Sequence, residues 1–250
     1  MDISGRTVLI TGGGTGIGLG LAERFHADGA KVIIAGRRAA VLEQAAAAHP
    51  GIEIRTFDIG DTGSIAGFAA DLLRDFPDLD ILVNNAGIMQ PEQLTVDDLT
   101  PRVADAHIAI NLQGPIHLTT ALLPHLRARP RAAIVNVTSG LAFVPLAIFP
   151  TYSATKAALH SYSQSLRQQL KATAVDVIEL PPPYVQTELT GAHQQTDPRA
   201  MPLDAFLDEA WGLLRQDPVP DEILVERVGF QRRAEAENRY PETFATINAF

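Results

Sequence analysis

Val8-Leu9-Ile10-Thr11-Gly12-Gly13-Gly14-Thr15-Gly16-Ile17-Gly18 is the stretch that decides the fold of this chain. An apolar run passes into a glycine turn, after which Ile17, Leu21, Ala22 and Phe25 trace one helical face. Strand, glycine turn and helix in that order open a doubly wound α/β unit. Glycines in such a turn let the backbone approach a pyrophosphate, held by free N–H groups and the positive end of the helix. The spacing is Thr11-Gly12-x-x-x-Gly16-x-Gly18, not G-x-G-x-x-G, and no Lys-Ser/Thr pair follows. The turn is therefore not the phosphate loop of a nucleotide triphosphatase. Its plain alternative is a tight strand-to-helix turn that binds nothing.

Outward from this turn, short apolar runs alternate with helix-period stretches, the pattern of a parallel sheet wrapped by helices on both faces. Seven strands are expected: Thr7 to Thr11, Lys31 to Ala35, Ile52 to Phe57, Asp80 to Asn84, Ala132 to Thr138, Val175 to Leu180 and Glu222 to Val225. Most are near-continuous apolar runs, as strands covered on both faces require. Val41 to Ala48, Ile65 to Phe76, Val96 to Ala128 and Tyr152 to Ala172 read as helices, and Pro115 should kink or restart the third. No repeat, charge block or linker divides residues 1–250, so a single domain is expected. Residues 187–202 turn polar, with Gly191, Gln194, Gln195 and Pro198, and read as a lid beside a substrate or as a surface loop.

Composition narrows the partners. A chain of 250 residues, 46% hydrophobic, buries a substantial core. Its net charge of -9 argues against nucleic acid and anionic membranes, both of which need clustered Lys and Arg, and favours a small-molecule partner. The absence of cysteine excludes disulfides and a thiol nucleophile and fits a reducing compartment. No signal peptide is visible, so a cytoplasmic location is expected. Ala132 to Thr155 carries no Asp, Glu, Lys or Arg and is long enough to cross a bilayer. Asn136, Gly140, Pro145 and Pro150 break it into a strand, a loop and a helix start instead. No His-Glu-x-x-His pattern occurs among the seven histidines, and no metal is expected.

Tyr152-Ser153-Ala154-Thr155-Lys156 places a phenol and an ammonium on one helical face. A nearby cation favours the phenolate of a tyrosine whose ordinary pKa is about 10. Ser139 lies upstream after Asn136-Val137-Thr138, and Asn84-Asn85-Ala86-Gly87 follows the fourth strand. Together with the glycine turn, these motifs resemble the short-chain dehydrogenase/reductase family over essentially the whole chain. The resemblance implies a Rossmann-like doubly wound fold and a catalytic tetrad of Asn111, Ser139, Tyr152 and Lys156. In that scheme Ser139 donates to the carbonyl oxygen, and Tyr152 delivers the proton as hydride arrives. Lys156 lowers the tyrosine pKa and holds the nicotinamide ribose, while Asn111 positions a water. A buried Asn bonded to backbone is the alternative for Asn111.

For the cofactor, the resemblance points to Gly12, Gly14, Thr15, Gly16, Ile17 and Gly18, with Asp58, Ile59, Asn85, Ala86 and Gly87 around the adenosine. Tyr152, Lys156, Pro182, Val185 and Thr187 would meet the nicotinamide end. The second expected strand ends Ala35-Gly36-Arg37-Arg38, without the acid that bonds the ribose of NAD. In the family this implies a 2'-phosphate, hence NADP(H), with Arg37 as the main contact and Arg38 flanking the adenine. A turn-capping acid is the alternative for Asp58. Where many members read Pro-Gly-x-Val-x-Thr, this chain has Pro182-Pro183-Tyr184-Val185-Gln186-Thr187, so Pro183 stiffens the backbone there.

Leu141, Phe143, Phe149 and Tyr184, with Val144, Met89 and Trp211, suggest a pocket for a bulky apolar ketone or aldehyde; several are equally readable as core. The function expected is an NADP(H)-dependent oxidoreductase acting on a carbonyl/alcohol pair. An imine or activated C=C reductase and a non-catalytic NADP(H)-binding redox sensor are the alternatives. The resemblance also implies a homodimer or homotetramer, for which Leu118, Leu122 and Leu126 or Leu159, Tyr162 and Leu166 offer apolar faces.

Overall fold

The computed structural model describes residues 1–97 and 99–249. Asp98, inside the stretch expected to be helical from Val96, and Phe250, last of the expected domain, lie outside the described residues. Six parallel strands form one sheet: β1 (Thr7–Thr11), β2 (Lys31–Gly36), β3 (Glu53–Thr56), β4 (Leu79–Asn84), β5 (Ala132–Val137) and β6 (Val175–Leu180). Their order is β3-β2-β1-β4-β5-β6. The order reverses between β1 and β4, and the crevice at the carboxyl ends of these two strands is where ligands bind in this architecture.

The crossovers are α1 (Gly16–Ala27), α2 (Ala39–Ala48), α3 (Ile65–Asp75), α4 (Arg102–Ile108), α5 (Gly114–Ala128) and α6 (Pro150–Leu170). Beyond β6 come α7 (Leu203–Leu214), the short α8 (Gly229–Arg232) and α9 (Tyr240–Ile247). The side-chain alternation of β1 divides the core into two layers. Val8 and Ile10 join Leu21, Phe25, Phe206 and Trp211 on one face, and Leu9 joins Leu118, Leu122, Leu126 and Leu166 on the other.

That division corrects the reading of the long helices. Leu118, Leu122 and Leu126 are fully enclosed by the subunit's own core, and Leu159 and Leu166 are also buried. These leucines therefore leave no apolar face to be covered by a second copy. Solvent instead meets His117 and Thr120 on α5 and Ser161, Gln164, Ser165 and Gln168 on α6.

One further expectation changes. The seventh strand is reduced to a single parallel bridge between Glu179 and Glu222. The N–H of Glu179 donates to the Asp221 carbonyl at 2.9 Å and that of Ile223 to the Glu179 carbonyl at 2.8 Å, after which the chain turns into a 3₁₀ segment, Glu226–Val228. Ile223 and Val225 are nevertheless buried, so their apolar character reflects packing rather than a ladder.

The long helix changes at Gly114-Pro115 as expected, with α5 starting afresh there. A π-helical turn, Ala109–Gln113, joins α4 to α5, and Pro115 lies in the first turn of α5. A proline inside an α-helix clashes with the carbonyl four residues back, and the wider turn relieves that crowding.

The uncharged run from Ala132 resolves into β5, a loop with the 3₁₀ turn Gly140–Ala142, and the start of α6. Among the described residues, no helix is long and apolar enough to cross a membrane.

Candidate active site

The glycine turn is held in place by side chains from the neighbouring strand. Thr11 Oγ1 accepts from the backbone N–H groups of Asn85 and Ala86, both at 3.1 Å, while Asn85 Nδ2 donates to the carbonyls of Thr11 at 2.9 Å and Gly12 at 3.2 Å. Gly12 sits at φ +66°, and a Cβ there would lie 2.9 Å from Ala86 Cα. At Gly18 a Cβ would meet the Gly12 carbonyl oxygen at 2.3 Å. Both positions thus keep the turn tight, and the N-terminus of α1 opens beside it with Thr15 extended at the cap. Asn84 bridges β4 and β5 as its amide chemistry allows: Nδ2 donates to Asn136 Oδ1 at 2.9 Å and to Thr119 Oγ1 at 3.0 Å.

Arg37 is exposed at the end of β2, and Arg38 caps α2. Arg37 lines a cleft of about 380 Å³ with Ile88, Gln90, Arg102, Val103, Ala106 and Ile110. Asp58 behaves as the turn residue that was its alternative reading, since Oδ1 accepts from the Gly60 N–H at 2.9 Å. Ile59 is buried beneath Gly114. At the other end of the crevice, the side chain of Thr187 packs against Gly16, and a Cβ on that glycine would lie 3.4 Å from Thr187 Cγ2.

Tyr152 and Lys156 both lie in the first two turns of α6, and both are buried. The N-terminus of α6 is fixed by Glu92, whose carboxylate accepts from the Thr151 N–H at 3.0 Å and hydroxyl at 2.9 Å. His107, wholly buried on α4, accepts from the Gln90 N–H at 3.1 Å, and its ring approaches Tyr152 edge-on at 6.2 Å. Burial holds its imidazole below the ordinary histidine pKa, with Glu92 opposing. Nothing local in the sequence marks Glu92 or His107, because each acts on a residue distant along the chain.

Ser139, Tyr152 and Lys156 come together at the end of β5. Ser139 lies beside the Tyr152 phenol, and its Oγ accepts from the Leu141 N–H at 3.1 Å. Burial pushes the Tyr152 phenol up to about 12, with Ser139 opposing. Desolvation brings the Lys156 ammonium down to about 8. Lys156 Nζ donates to the Val137 carbonyl at 2.8 Å and stands 5.7 Å from the Tyr152 ring centroid. Desolvation is the largest influence on the Tyr152 phenol in this arrangement.

Asn111 lies within the π-helical turn, and its amide accepts from the N–H and donates to the C=O of Ile88, each at 2.9 Å. It braces the segment after Gly87 against the helix, the backbone-bonded role that was its alternative.

On the substrate side the expected set divides. Leu141 and Phe149 are half-buried near Ser139 and at the cap of α6, and Tyr184 is exposed, its hydroxyl donating to Asp197 Oδ2 at 3.1 Å. Phe143 is engaged by its own chain, edge-on to His160 at 4.9 Å with the Arg232 guanidinium 4.9 Å from its centroid. Val144 is fully buried, and Trp211 packs edge-on against Phe25 at 4.8 Å in the core. After Pro183 the backbone pairs with Met201, the N–H of Gln186 donating to its carbonyl at 2.8 Å. Within 187–202, Gln194 is buried: Nε2 donates to the Val185 carbonyl at 2.7 Å and Thr187 Oγ1 at 3.0 Å, and Oε1 accepts from the Thr190 N–H at 2.9 Å.

A family model described as short chain dehydrogenase matches residues 6–198. The chain belongs to the short-chain dehydrogenase family. Its relatives include an uncharacterized oxidoreductase of Bacillus subtilis (strain 168), DltE, 47% identical over 189 residues that make up 76% of this chain and 75% of that protein. A short chain dehydrogenase from Burkholderia cenocepacia J2315, solved in complex with NADP, superposes with a TM-score of 0.81 at 25% identity, covering 100% of both chains. A 3-ketoacyl-(acyl-carrier-protein) reductase from Brucella melitensis, complexed with NADH, gives 0.77 at 29% identity over 87% of this chain and 93% of the other. This short-chain dehydrogenase is therefore an oxidoreductase by family, with the glycine turn and the Tyr152–Lys156 pair on one sheet edge.

Proposed function

We propose that the chain is an NADP(H)-dependent oxidoreductase acting on a carbonyl/alcohol pair with a bulky apolar body. The observation that carries this reading is the buried Tyr152 phenol one turn from a buried Lys156, whose Nζ donates to the carbonyl of Val137, two residues before Ser139. NADP(H), when bound, supplies or receives the hydride. A phenol raised to about 12 holds its proton at neutral pH and stands ready to donate it to a carbonyl oxygen. Ser139 lies against that phenol and can donate to the same oxygen. Lys156, with a pKa of about 8, remains mostly protonated at pH 7 and contributes positive charge beside Gly87. The water-relay role of Asn111 belongs to the same proposal.

The residues present fit the cofactor. Gly12 and Gly18 let the strand-to-helix turn close tightly on Ala86 and Asn85, which brings the N-terminus of α1 to the end of β1, where a pyrophosphate would be held. Cofactor choice rests on Arg37, because relatives bind either nucleotide: the Burkholderia protein was solved with NADP and the Brucella protein with NADH. Arg37 faces the cleft at the end of β2, where an acid would otherwise meet the ribose. Arg38, Asp58, Ile59, Asn85 and Ala86 complete the adenosine side of the proposal, and Pro182, Val185 and Thr187 the nicotinamide side. Residues 187–202 serve as the lid, with Gln194 as its latch. A two-fold dimer or tetramer rests on the family resemblance. A panel of ketones and aldehydes offered with NADPH and with NADH, followed by loss of the nicotinamide absorbance, tests the reading. Turnover of a carbonyl substrate with NADPH preferred supports it; no turnover with either nucleotide overturns it.

A further inference from the structure

Glu179 is a carboxylate on β6 with no solvent exposure, flanked in sequence by the core residues Ile178 and Leu180. Burying an ionised carboxylate is costly unless it is paired and hydrogen-bonded, and neither the hydride step nor the cofactor contacts above use it. Both of its oxygens are engaged. Oε1 accepts from Thr138 Oγ1 at 2.7 Å, and Oε2 lies 2.7 Å from His160 Nδ1. Thr138 directly follows β5 and directly precedes Ser139, while His160 lies on α6 one turn beyond Lys156. Glu179 thereby cross-links the strand end that carries Ser139 to the helix that carries Tyr152 and Lys156.

The surroundings favour a hydrogen-bonded cross-link over a cation site. Glu222 comes within 4.0 Å of His160, and its donor atoms, with those of His160 and Glu179, lie within 4.8 Å of one another. Glu222 is already bonded by Arg232, through Nε at 3.0 Å and Nη2 at 3.2 Å. Arg232 is thus committed to Glu222, which leaves His160 Nδ1 as the partner of Glu179 Oε2. The side chain of Phe143 lies against both His160 and Arg232 and closes the cluster toward the loop after Ser139.

The geometry points to Glu179 as a positioning residue: through Thr138 and His160 it sets where the Ser139 hydroxyl stands relative to the Tyr152 phenol. This rests on the proposed carbonyl chemistry, in which both groups address one oxygen. A displacement of about 1 Å between cooperating groups can lower turnover by up to roughly 100-fold, so a rigid cross-link at this point has a kinetic consequence.

The test uses the full chain with Thr138→Val, which removes one donor at constant shape, Thr138→Ser, which restores it, and Glu179→Gln. Three readouts are taken: kcat on the best carbonyl substrate, NADPH affinity by fluorescence titration, and amide hydrogen exchange over 139–143. The expected result for Thr138→Val is a kcat lowered roughly tenfold or more, unchanged NADPH affinity and faster exchange over 139–143. Glu179→Gln should show the same pattern, and Thr138→Ser should match the parent. Parental kcat and exchange in Thr138→Val overturn the inference, as does an equal loss in Thr138→Ser, which would mark general damage. A parent inactive on every carbonyl sinks the proposed activity alone; the cross-link then stands or falls on the exchange data.

Discussion

Replacing Lys156 with methionine should make this protein inactive and more stable at neutral pH. Burial lowers the lysine pKa from 10.5 to about 8, and at 1.36 kcal/mol per unit that charge costs the folded state about 3 kcal/mol. Methionine retains an unbranched apolar stem and loses the Nζ hydrogen bond to Val137, worth about 1 kcal/mol. The expected net gain is about 2 kcal/mol near pH 7, or about 4–8 °C in Tm for a chain of this size. The sign of the pH dependence follows from the depressed folded pKa. From about 8 to 10.5 the unfolded chain binds the proton and the folded chain does not, so parental stability rises with pH across that window. Below it, both states are protonated and the whole cost is present. The advantage of Lys156→Met should therefore be full near pH 7 and mostly gone near pH 10. Urea unfolding of both proteins at the two pH values measures it. A variant less stable than the parent at pH 7, or an advantage of equal size at both, would refute the desolvation reasoning.

Three other outcomes are expected. Arg37→Asp should raise KM for NADPH about 10- to 100-fold, the worth of one charge-assisted bond, and improve relative use of NADH; an unchanged ratio of the two kcat/KM values makes Arg37 a solvated helix start. Gly18→Ala drives a Cβ into the Gly12 carbonyl oxygen at 2.3 Å. Isothermal titration should then show NADPH binding weakened at least roughly tenfold, and parental affinity counts against the turn as the pyrophosphate site. Gln194→Ala removes the latch on Val185 and Thr187, so limited proteolysis within 187–202 should accelerate; an unchanged cleavage rate means the segment is held by other contacts.

Much of the fold is legible in the chain because β1, β4 and β5 are buried on both faces and so appear as near-continuous apolar runs between turn residues. Glu222 to Val225 has the same composition, yet its partner strand offers it only one bridge, and pairing is a property of two segments. The same limit explains Leu118, Leu122 and Leu126, whose helical spacing predicts a buried face without saying which surface buries it. At the site, the four-residue spacing of Tyr152 and Lys156 fixes their common face. It does not reveal that the ammonium bonds the Val137 carbonyl, or that desolvation dominates both pKa values. Glu92 acts through Thr151, far along the chain, and carries no local signature.

The central claim is that Tyr152 supplies the proton while the cofactor is held elsewhere. Tyr152→Phe removes only the phenolic oxygen, so NADPH affinity by fluorescence titration should equal that of the parent, and kcat on the best carbonyl substrate should fall by about 10²- to 10⁴-fold. A variant that binds NADPH and retains near-parental kcat would contradict the account.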